Sequence, residues 1–269
     1  MFFLLLNVTL SQGVFGGYIL YTPLSIGVDN INIVSYLEDV DGTIINSWTH
    51  THGPASMPYL FSYDNQSGFE NTLLYYPCQA TIPTMITGGT GGRVEIYNWD
   101  GELLWYYEMA NEIYQHHHDI EVLPNGNILM IAYERKYEQE WQAAGRVSVS
   151  NELTLNQMWS TAIFEVKPIF DVENYSGEVS TQAEIIWEWH LWDHLIQDQY
   201  SLLDNYGNVE NNPQLMDVNC GNVGSNGGPG GQANGDWMHV NAIDYNADLD
   251  QIVFSSRHQD EIYIIDHST

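Results

Sequence analysis

Residues 94–105 of the chain read VEIYNWDGELLW, and residues 35–48 read SYLEDVDGTIINSW. In both stretches an Asp-Gly pair separates two runs in which apolar and polar residues alternate. An Asp-Gly pair favours a tight turn and the alternation is typical of strands, so each stretch predicts a β-hairpin. A looser third copy joins residues 162–166 to residues 184–189, and a fourth begins at Glu261–Asp266.

A second type of hairpin lies between these copies. Residues 118–131, HDIEVLPNGNILMI, can be superimposed on residues 239–246, HVNAIDYN, with residues 250–254, DQIVF, as the return strand. One hairpin of each type makes a four-stranded sheet, and tandem sheets of that size are typical of propeller blades. The sequence therefore predicts an all-β fold, a β-propeller, with His118 and His239 at equivalent positions of innermost strands that face the central axis.

The number of repeats predicts an incomplete ring of about three and a half to four blades. Such a ring would expose a full strand edge at each end, so we expect the sequence to be a fragment that lacks its C-terminal blades. A β-sandwich of similar strand number would not explain the recurring order of motifs. Residues 1–13 resemble a truncated signal peptide, with a first strand of the fold as the alternative, and residues 14–269 are expected to form the partial propeller.

The charge balance limits the classes of partner. Only six Lys and Arg residues oppose 35 Asp and Glu residues, which gives a formal net charge of −29 at pH 7. This balance argues against nucleic acid and against an anionic membrane surface, because both require clustered cations. The apolar run at the N-terminus is too short to insert across a bilayer. Adaptation of the surface to salt water explains the acidity without any functional role.

An anion site is indicated near the end of the chain. The stretch DWMHVN at residues 236–241 is followed on the next apolar run by Ser255-Ser256-Arg257. It places His239, Asn241 and Arg257 at the ends of neighbouring strands. In a chain so poor in cations, an arginine beside a histidine indicates a site that focuses positive potential locally.

Metal sites are the alternative use of the histidines. Successive strand residues point to opposite faces, so the run His116, His117 and His118 cannot all bind one ion. A site built from His118, His239 and a carboxylate remains open, although the arginine nearby opposes a cation. His190 and His194 are four residues apart on a predicted helix at residues 188–200, which we interpret as structural because a third ligand is missing.

Two further segments carry no clear chemistry in the sequence. Residues 88–94, GGTGGRV, are rich in glycine but have no lysine for a phosphate-binding loop. Residues 205–236 are rich in Asn and Gly and predict a long loop, either a functional lid or a disordered insert. Cys78 and Cys220 fit an exported protein with at most one disulfide, and their pairing stays open.

Several short motifs occur together in one order along the chain. They are GGYILYTP at 16–23, GGTGGRV at 88–94, HHDI at 117–120, WHLWDH at 189–194, WMHVN at 237–241 and SR at 256–257. In this order they resemble the bacterial aryl-sulfate sulfotransferase family, over nearly the whole chain. The resemblance implies a six-bladed propeller, exported to the periplasm or beyond, that uses no cofactor and no nucleotide sulfate donor. Its partners would be a phenolic sulfate ester and a phenol acceptor, and a homodimer is left open.

The resemblance also implies roles for individual residues. Arg257 and Asn241 would bind the oxygens of the sulfuryl group, and His118 and His239 would bind these oxygens and move protons. His117 replaces His118 if the strand register turns it inward. The family's nucleophilic histidine belongs to a later blade, so the chain as given is expected to be inactive. A non-catalytic propeller scaffold and a metal- or quinone-dependent propeller enzyme are the alternative functions.

Overall fold

The regular structure of the protein is built almost entirely from β-strands. The computed structural model describes residues 16–23, 33–63, 69, 71–149, 155–224 and 233–268. In these ranges there are sixteen strands, one short helix, α1 (Glu138–Ala143), and two 3₁₀ helices at Leu191–His194 and Val209–Asn211. Residues 1–13, with the predicted signal peptide, lie outside the described ranges. In the described ranges no helix combines the length and apolar character needed to span a bilayer.

The strands form four antiparallel sheets and one short parallel pair. The first sheet contains β1 (Tyr18–Tyr21), β2 (Ile33–Asp39) and β3 (Ile44–His50). The second contains β4 (Tyr59–Ser62), β5 (Thr72–Gln79), β6 (Gly92–Tyr97) and β7 (Leu103–Glu108). The third contains β8 (Tyr114–Val122), β9 (Ile128–Lys136), β10 (Met158–Ile169) and β11 (Gln182–His190). The fourth contains β14 (Val240–Asn246), β15 (Gln251–Ser256) and β16 (Glu261–Asp266), and the parallel pair is β12 (Leu195–Ile196) with β13 (Met216–Asp217).

Within each of the four sheets the strands lie side by side in the order of the chain. This meander is the arrangement of a propeller blade. The edge strands β8 and β14, from the third and fourth sheets, pack against each other. The prediction of an all-β, partial propeller-like fold is therefore confirmed, and β8 and β14 are the neighbouring strands that bring the two predicted histidines together.

The repeated Asp-Gly turns and the tryptophans that follow them have defined structural roles. Gly42 joins β2 to β3 with φ of 83°, and Gly101 joins β6 to β7 with φ of 84°, a conformation that glycine adopts without strain. The Trp48 indole then donates a hydrogen bond to the carbonyl of Asn98 in the second sheet. In the same way, the Trp105 indole donates to the carbonyl of Gln182 in the third sheet. The two repeats thus connect the first sheet to the second and the second sheet to the third.

The apolar core lies between neighbouring sheets. One cluster joins the second and third sheets through residues such as Ile96 and Phe164, and a larger one joins the third and fourth through Ile131 and Phe254. A smaller cluster around Trp48 joins the first and second sheets. Burial of these side chains fixes the relative positions of the sheets and, with them, the position of any site between sheets.

The structure corrects one expectation from the sequence and answers one question that the sequence left open. The predicted helix at residues 188–200 is wrong: Glu188–His190 continue β11 because they pair with β10, and only Leu191–His194 form a 3₁₀ turn. Cys78 and Cys220 are both free thiols. The predicted loop at 205–236 is irregular in its described part, apart from the short 3₁₀ helix and β13.

Candidate functional site

The imidazoles of His118 and His239 lie next to each other. Their ring centroids are 4.9 Å apart and the rings are nearly perpendicular. His118 sits in β8 where the register with β9 shifts between His116 and Ile120, and His239 stands directly before β14. The predicted equivalence of the two positions is therefore matched by a direct contact between them.

Both histidines have a rare backbone conformation. The φ angle is 52° at His118 and 48° at His239, in the left-handed region that costs an L-residue about 1–2 kcal/mol. Such conformations persist only where the surrounding structure imposes them, and they cluster at functional sites. The same unfavourable φ at equivalent positions of two sheets indicates that the orientation of the rings matters more than the local stability.

The glycine-rich segment 88–92 forms the wall of the site. A Cβ atom added to Gly89 would lie 2.2 Å from Nε2 of His118, and one added to Gly88 would lie 3.5 Å from Cε1 of His239. The backbone N–H of His118 donates to the carbonyl of Gly89 over 2.8 Å. The N–H of Gly92 donates to Nδ1 of His116 over 3.1 Å. The glycines therefore let three imidazoles pack directly against the main chain.

Asp236 is a residue of this site that the sequence did not single out. Its Oδ2 atom lies 2.5 Å from Nδ1 of His239, and the carboxylate is fully buried. The Thr87 hydroxyl also donates to Oδ2, over 3.5 Å. A carboxylate on Nδ1 holds the proton there and leaves Nε2 as the free nitrogen. The available signal was an acidic residue three positions before the histidine, beside the apolar Trp237 and Met238.

His117 lies behind the pair and does not face the open side. Its ring is fully buried, stacks on Tyr133 at 3.6 Å between centroids, and has Nδ1 3.0 Å from Nδ1 of His118. Burial lowers the pKa of His117 well below its usual value. Burial and the neighbouring His239 lower the pKa of His118 to about 4. At neutral pH His118 is therefore an uncharged hydrogen-bonding group, with His117 as its support.

Arg257 supplies the positive charge at the open side of the site. Its side chain is exposed, and its backbone N–H donates to the carbonyl of His239 over 3.1 Å. The guanidinium charge contributes to the lowered pKa of His118. The guanidinium group itself makes no ion pair and no hydrogen bond among the described residues. The other five cations have partners: carboxylates for Arg93, Lys136 and Lys167, and backbone carbonyls for Arg135 and Arg146.

Asn241 is placed near the site by a bulge. The register of β14 with β15 shifts between Val240 and Ala242, which leaves Asn241 exposed at the bulge. Its Oδ1 atom accepts a hydrogen bond from Ser255 over 3.1 Å, so its amide nitrogen is the atom available to a ligand. In the described part of the chain no hydrogen bond joins Asn241 to either imidazole.

The residues that could hold a metal differ from the predicted set. Asp236, His239 and His258 offer ligand atoms that all lie within 4.8 Å of one another, and the His258 ring stacks on His239. His118 is not in this group. His190 contacts Glu134, whereas His194 stacks on Trp189, so these two are not brought together as ligands.

A second group, His52, Cys78 and Glu95, lies between the first and second sheets. Arg93 donates to Glu95 over 2.7 Å, and the Tyr97 hydroxyl donates to the same carboxylate. Because the carboxylate already accepts hydrogen bonds from a cation and a hydroxyl group, this group is explained as a buried ion pair rather than as a metal site.

The fold and the site define a propeller-like all-β protein with two adjacent imidazoles and a nearby guanidinium that has no side-chain partner within the described ranges. The family model described as arylsulfotransferase (ASST) matches residues 167–269. The matched residues include His239, Asn241 and Arg257, and the match supports the resemblance to this family that the motifs indicated. A comparison with curated proteins gives no match.

Proposed function

We propose that the protein functions as an exported aryl-sulfate sulfotransferase, which moves a sulfuryl group from a phenolic sulfate ester to a phenol. The family match supports this class of reaction. The observation that carries the proposal is Arg257, an exposed cation with no side-chain partner among the described residues, beside two adjacent imidazoles. In a chain of net charge −29, a cation left unpaired here favours an anionic ligand.

The chemistry requires a site that stabilises spread negative charge. By analogy with phosphoryl transfer, sulfuryl transfer passes through a loose, trigonal, SO₃-like species with charge on its equatorial oxygens. A planar guanidinium at Arg257 and the amide nitrogen of Asn241 are donors suited to such oxygens. His118 and His239 add donors or acceptors from the other side, since the imidazoles lie where β8 and β14 meet.

The proposed reaction has two half-reactions. In the first, a histidine attacks sulfur and the phenol leaves; in the second, the acceptor phenol takes the sulfuryl group from the sulfohistidine. Dividing one displacement into two in-line steps is the usual advantage of covalent catalysis. As the family resemblance implies, the proposal places this nucleophile on a further blade and gives the described histidines the binding and proton-transfer roles.

A metal-dependent hydrolase is the second candidate function. The observation that favours it is the group Asp236, His239 and His258, whose ligand atoms lie within 4.8 Å of one another. A divalent cation there would have Arg257 as a neighbour, because His258 follows Arg257 directly in the chain. The repulsion between the two positive charges makes the anion site the better explanation.

The transfer reaction can be tested with 4-nitrophenyl sulfate, with and without added phenol. Release of nitrophenol that requires the phenol supports transfer, whereas release without an acceptor indicates a sulfatase. Release that a chelator abolishes indicates the metal-dependent hydrolase. Absence of release in a chain that carries the further blade, together with absence of binding, would favour the scaffold.

Binding tests the anion site even where turnover is absent. Calorimetric titration of the 269-residue chain with 4-nitrophenyl sulfate should show binding that is at least ~10-fold weaker in Arg257→Ala. Lys167→Ala is the matched control, because Lys167 is also an exposed cation but pairs with Glu184 away from the histidines. Equal binding by wild type and Arg257→Ala would contradict the proposed function.

A further inference from the structure

We propose that Asp236 is a positioning residue that makes His239 the proton carrier of the site, and that His118 is a neutral ligand of the sulfuryl oxygens. This inference rests on the proposed function and divides between two histidines a role that they otherwise share. The inference is based on a difference between the hydrogen-bond partners of His118 and His239. Nδ1 of His239 faces a carboxylate, whereas Nδ1 of His118 faces another imidazole.

The contact between Asp236 and His239 is short and shielded from water. The Nδ1–Oδ2 distance is 2.5 Å, and both side chains are almost completely buried. Aspartate accepts only, so Nδ1 of His239 must donate, and Nε2 is left to exchange a proton with a substrate. Nε2 lies on the side of Gly88, from which a Cβ atom would be 3.8 Å away.

The charge of Asp236 is otherwise uncompensated by a close ion pair. The Tyr133 hydroxyl is a hydrogen-bonding neighbour of this carboxylate, and no Lys or Arg of the described residues forms an ion pair with it. The groups around it are the Thr87 hydroxyl, Tyr133, His258 and, farther out, Arg257. Nδ1 of His239 is the closest donor to this carboxylate, and the contact orients the ring so that Nε2 points away from Asp236.

The environment of His118 is different, because its Nδ1 atom shares one hydrogen bond with His117, in which one ring donates and the other accepts. Burial lowers the pKa of His118 to about 4, His239 and Arg257 act in the same direction, and Asp236 opposes them. His118 is therefore suited to hold an oxygen through a neutral hydrogen bond and is poorly suited to carry a proton between the two half-reactions.

The proton balance of the proposed cycle closes on His239. Before the ester reacts, Nε2 of His239 takes a proton from solvent. In the first half-reaction the S–O bond of the ester breaks, the sulfuryl group goes to the histidine nucleophile, and the leaving phenolate takes that Nε2 proton. In the second half-reaction the acceptor phenol gives its proton back to Nε2 while its oxygen forms the new S–O bond and the S–N bond breaks. Asp236 keeps the Nδ1 proton throughout.

The first test needs no activity. Nitrogen-15 NMR of the histidines in the 269-residue chain at neutral pH should show His239 protonated at Nδ1. Asp236→Asn should convert it to the Nε2-protonated form, because an asparagine amide can donate to Nδ1. Asp119→Asn is the control, since Asp119 is also a buried carboxylate but accepts from Ser56 and Tyr59. An unchanged His239 signal in Asp236→Asn, or a wild-type His239 protonated at Nε2 and not at Nδ1, would overturn the inference.

The second test uses an active form that carries the nucleophile. Loss of general acid catalysis slows a poor leaving group more than a good one, by ~100-fold in the usual case. Asp236→Asn and His239→Asn should therefore slow phenyl sulfate far more than 4-nitrophenyl sulfate, whereas His118→Asn should slow both equally. Equal losses in all three variants would refute the division of roles while leaving sulfuryl transfer itself established. An absence of all transfer, with the His239 tautomer as expected, would refute only the transfer reaction.

Discussion

The imidazole rings of His118 and His239 touch across the boundary between the third and fourth sheets, with their centroids 4.9 Å apart. Both residues have a left-handed backbone conformation. Gly89, in the connection between β5 and β6, packs against the His118 ring. Small changes at His118, His239 or Gly89 should therefore alter the relative position of the two imidazole rings.

Gly89→Ala tests the close approach of the glycine wall. The added methyl group would lie 2.2 Å from the His118 ring, so the ring must move. Misplacement of a reacting group by about 1 Å can lower turnover by ~100-fold, and we expect a loss of that size in an active chain, or a matching loss of aryl sulfate binding.

Gly101→Ala is the matched control for this change. Gly101 also has a positive φ, but nothing lies within 4 Å of the added methyl group. It should cost about 1–2 kcal/mol of stability from backbone strain and leave binding unchanged. Equal loss of binding in both variants would show that strain, rather than contact with His118, is responsible.

If the proposed function is right, Arg257→Ala should abolish sulfuryl transfer by an active form of the protein while the fold stays intact. The guanidinium has no side-chain partner among the described residues, so its removal breaks no structural contact. Loss of one positioned donor of this kind costs about 100-fold or more in rate. Thermal unfolding should give the same Tm as the wild type. Retained activity, or a large fall in Tm, would contradict the assigned role.

His50 should make stability depend on pH. Burial lowers its pKa to about 3, Nε2 contacts the Ser35 hydroxyl over 2.7 Å, and Nδ1 is buried without a partner among the described residues. The unfolded chain has a histidine pKa of about 6.5, so it binds more protons below that pH than the folded protein does. The stability from neutral His50 is therefore present above pH 6.5 and is lost as pH falls toward 3.

His50→Phe isolates this effect, because it keeps a ring next to Tyr76 and removes the titration. The free energy of unfolding of the wild type minus that of the variant should fall by at most about 1.4 kcal/mol per pH unit below pH 6.5. Denaturant unfolding at constant high salt measures it, and the general charge effects cancel between the two proteins. If the free energy of unfolding of the wild type rises relative to that of the variant on acidification, the predicted direction is wrong.

The two cysteines should react differently with a thiol reagent. Cys78 is fully buried in β5, and burial raises its pKa well above the usual value, whereas Cys220 is exposed. Because the thiolate is the reactive form, one thiol should react in the native protein and two after unfolding. Cys220→Ser should remove the native reaction. Two reactive thiols in the native state, or none after unfolding, would contradict the structure.

The sheets were predictable because their signals are local. Asp-Gly turns such as Gly42 and Gly101 and the alternation around them depend on residues adjacent in sequence. The predicted helix at residues 188–200 failed for the opposite reason. Its apolar spacing fits a helix, but pairing with β10, far away in sequence, holds Glu188–His190 in a strand.

The site was predictable only in part. Aligning the repeats led to His118 and His239, because equivalent positions of two blades must lie at the same level of the fold. Asp236 was missed because its role depends on a turn with φ of 48° at His239, which no local pattern indicates. The glycine wall was missed as well, since its contacts with His118 join segments of different sheets.

The contact between His118 and His239 depends on segments of three sheets, so it can form only when these sheets have assembled. Each hairpin can form from neighbouring residues, but His118 meets His239 only after the distant segments have docked, and contacts of such long range form late and at a high entropic cost. A partly folded chain would therefore contain most of its strands and none of its anion-binding geometry. The NMR signals of these two imidazoles would therefore report the assembly of the sheets. Circular dichroism follows strand content and would not detect this step.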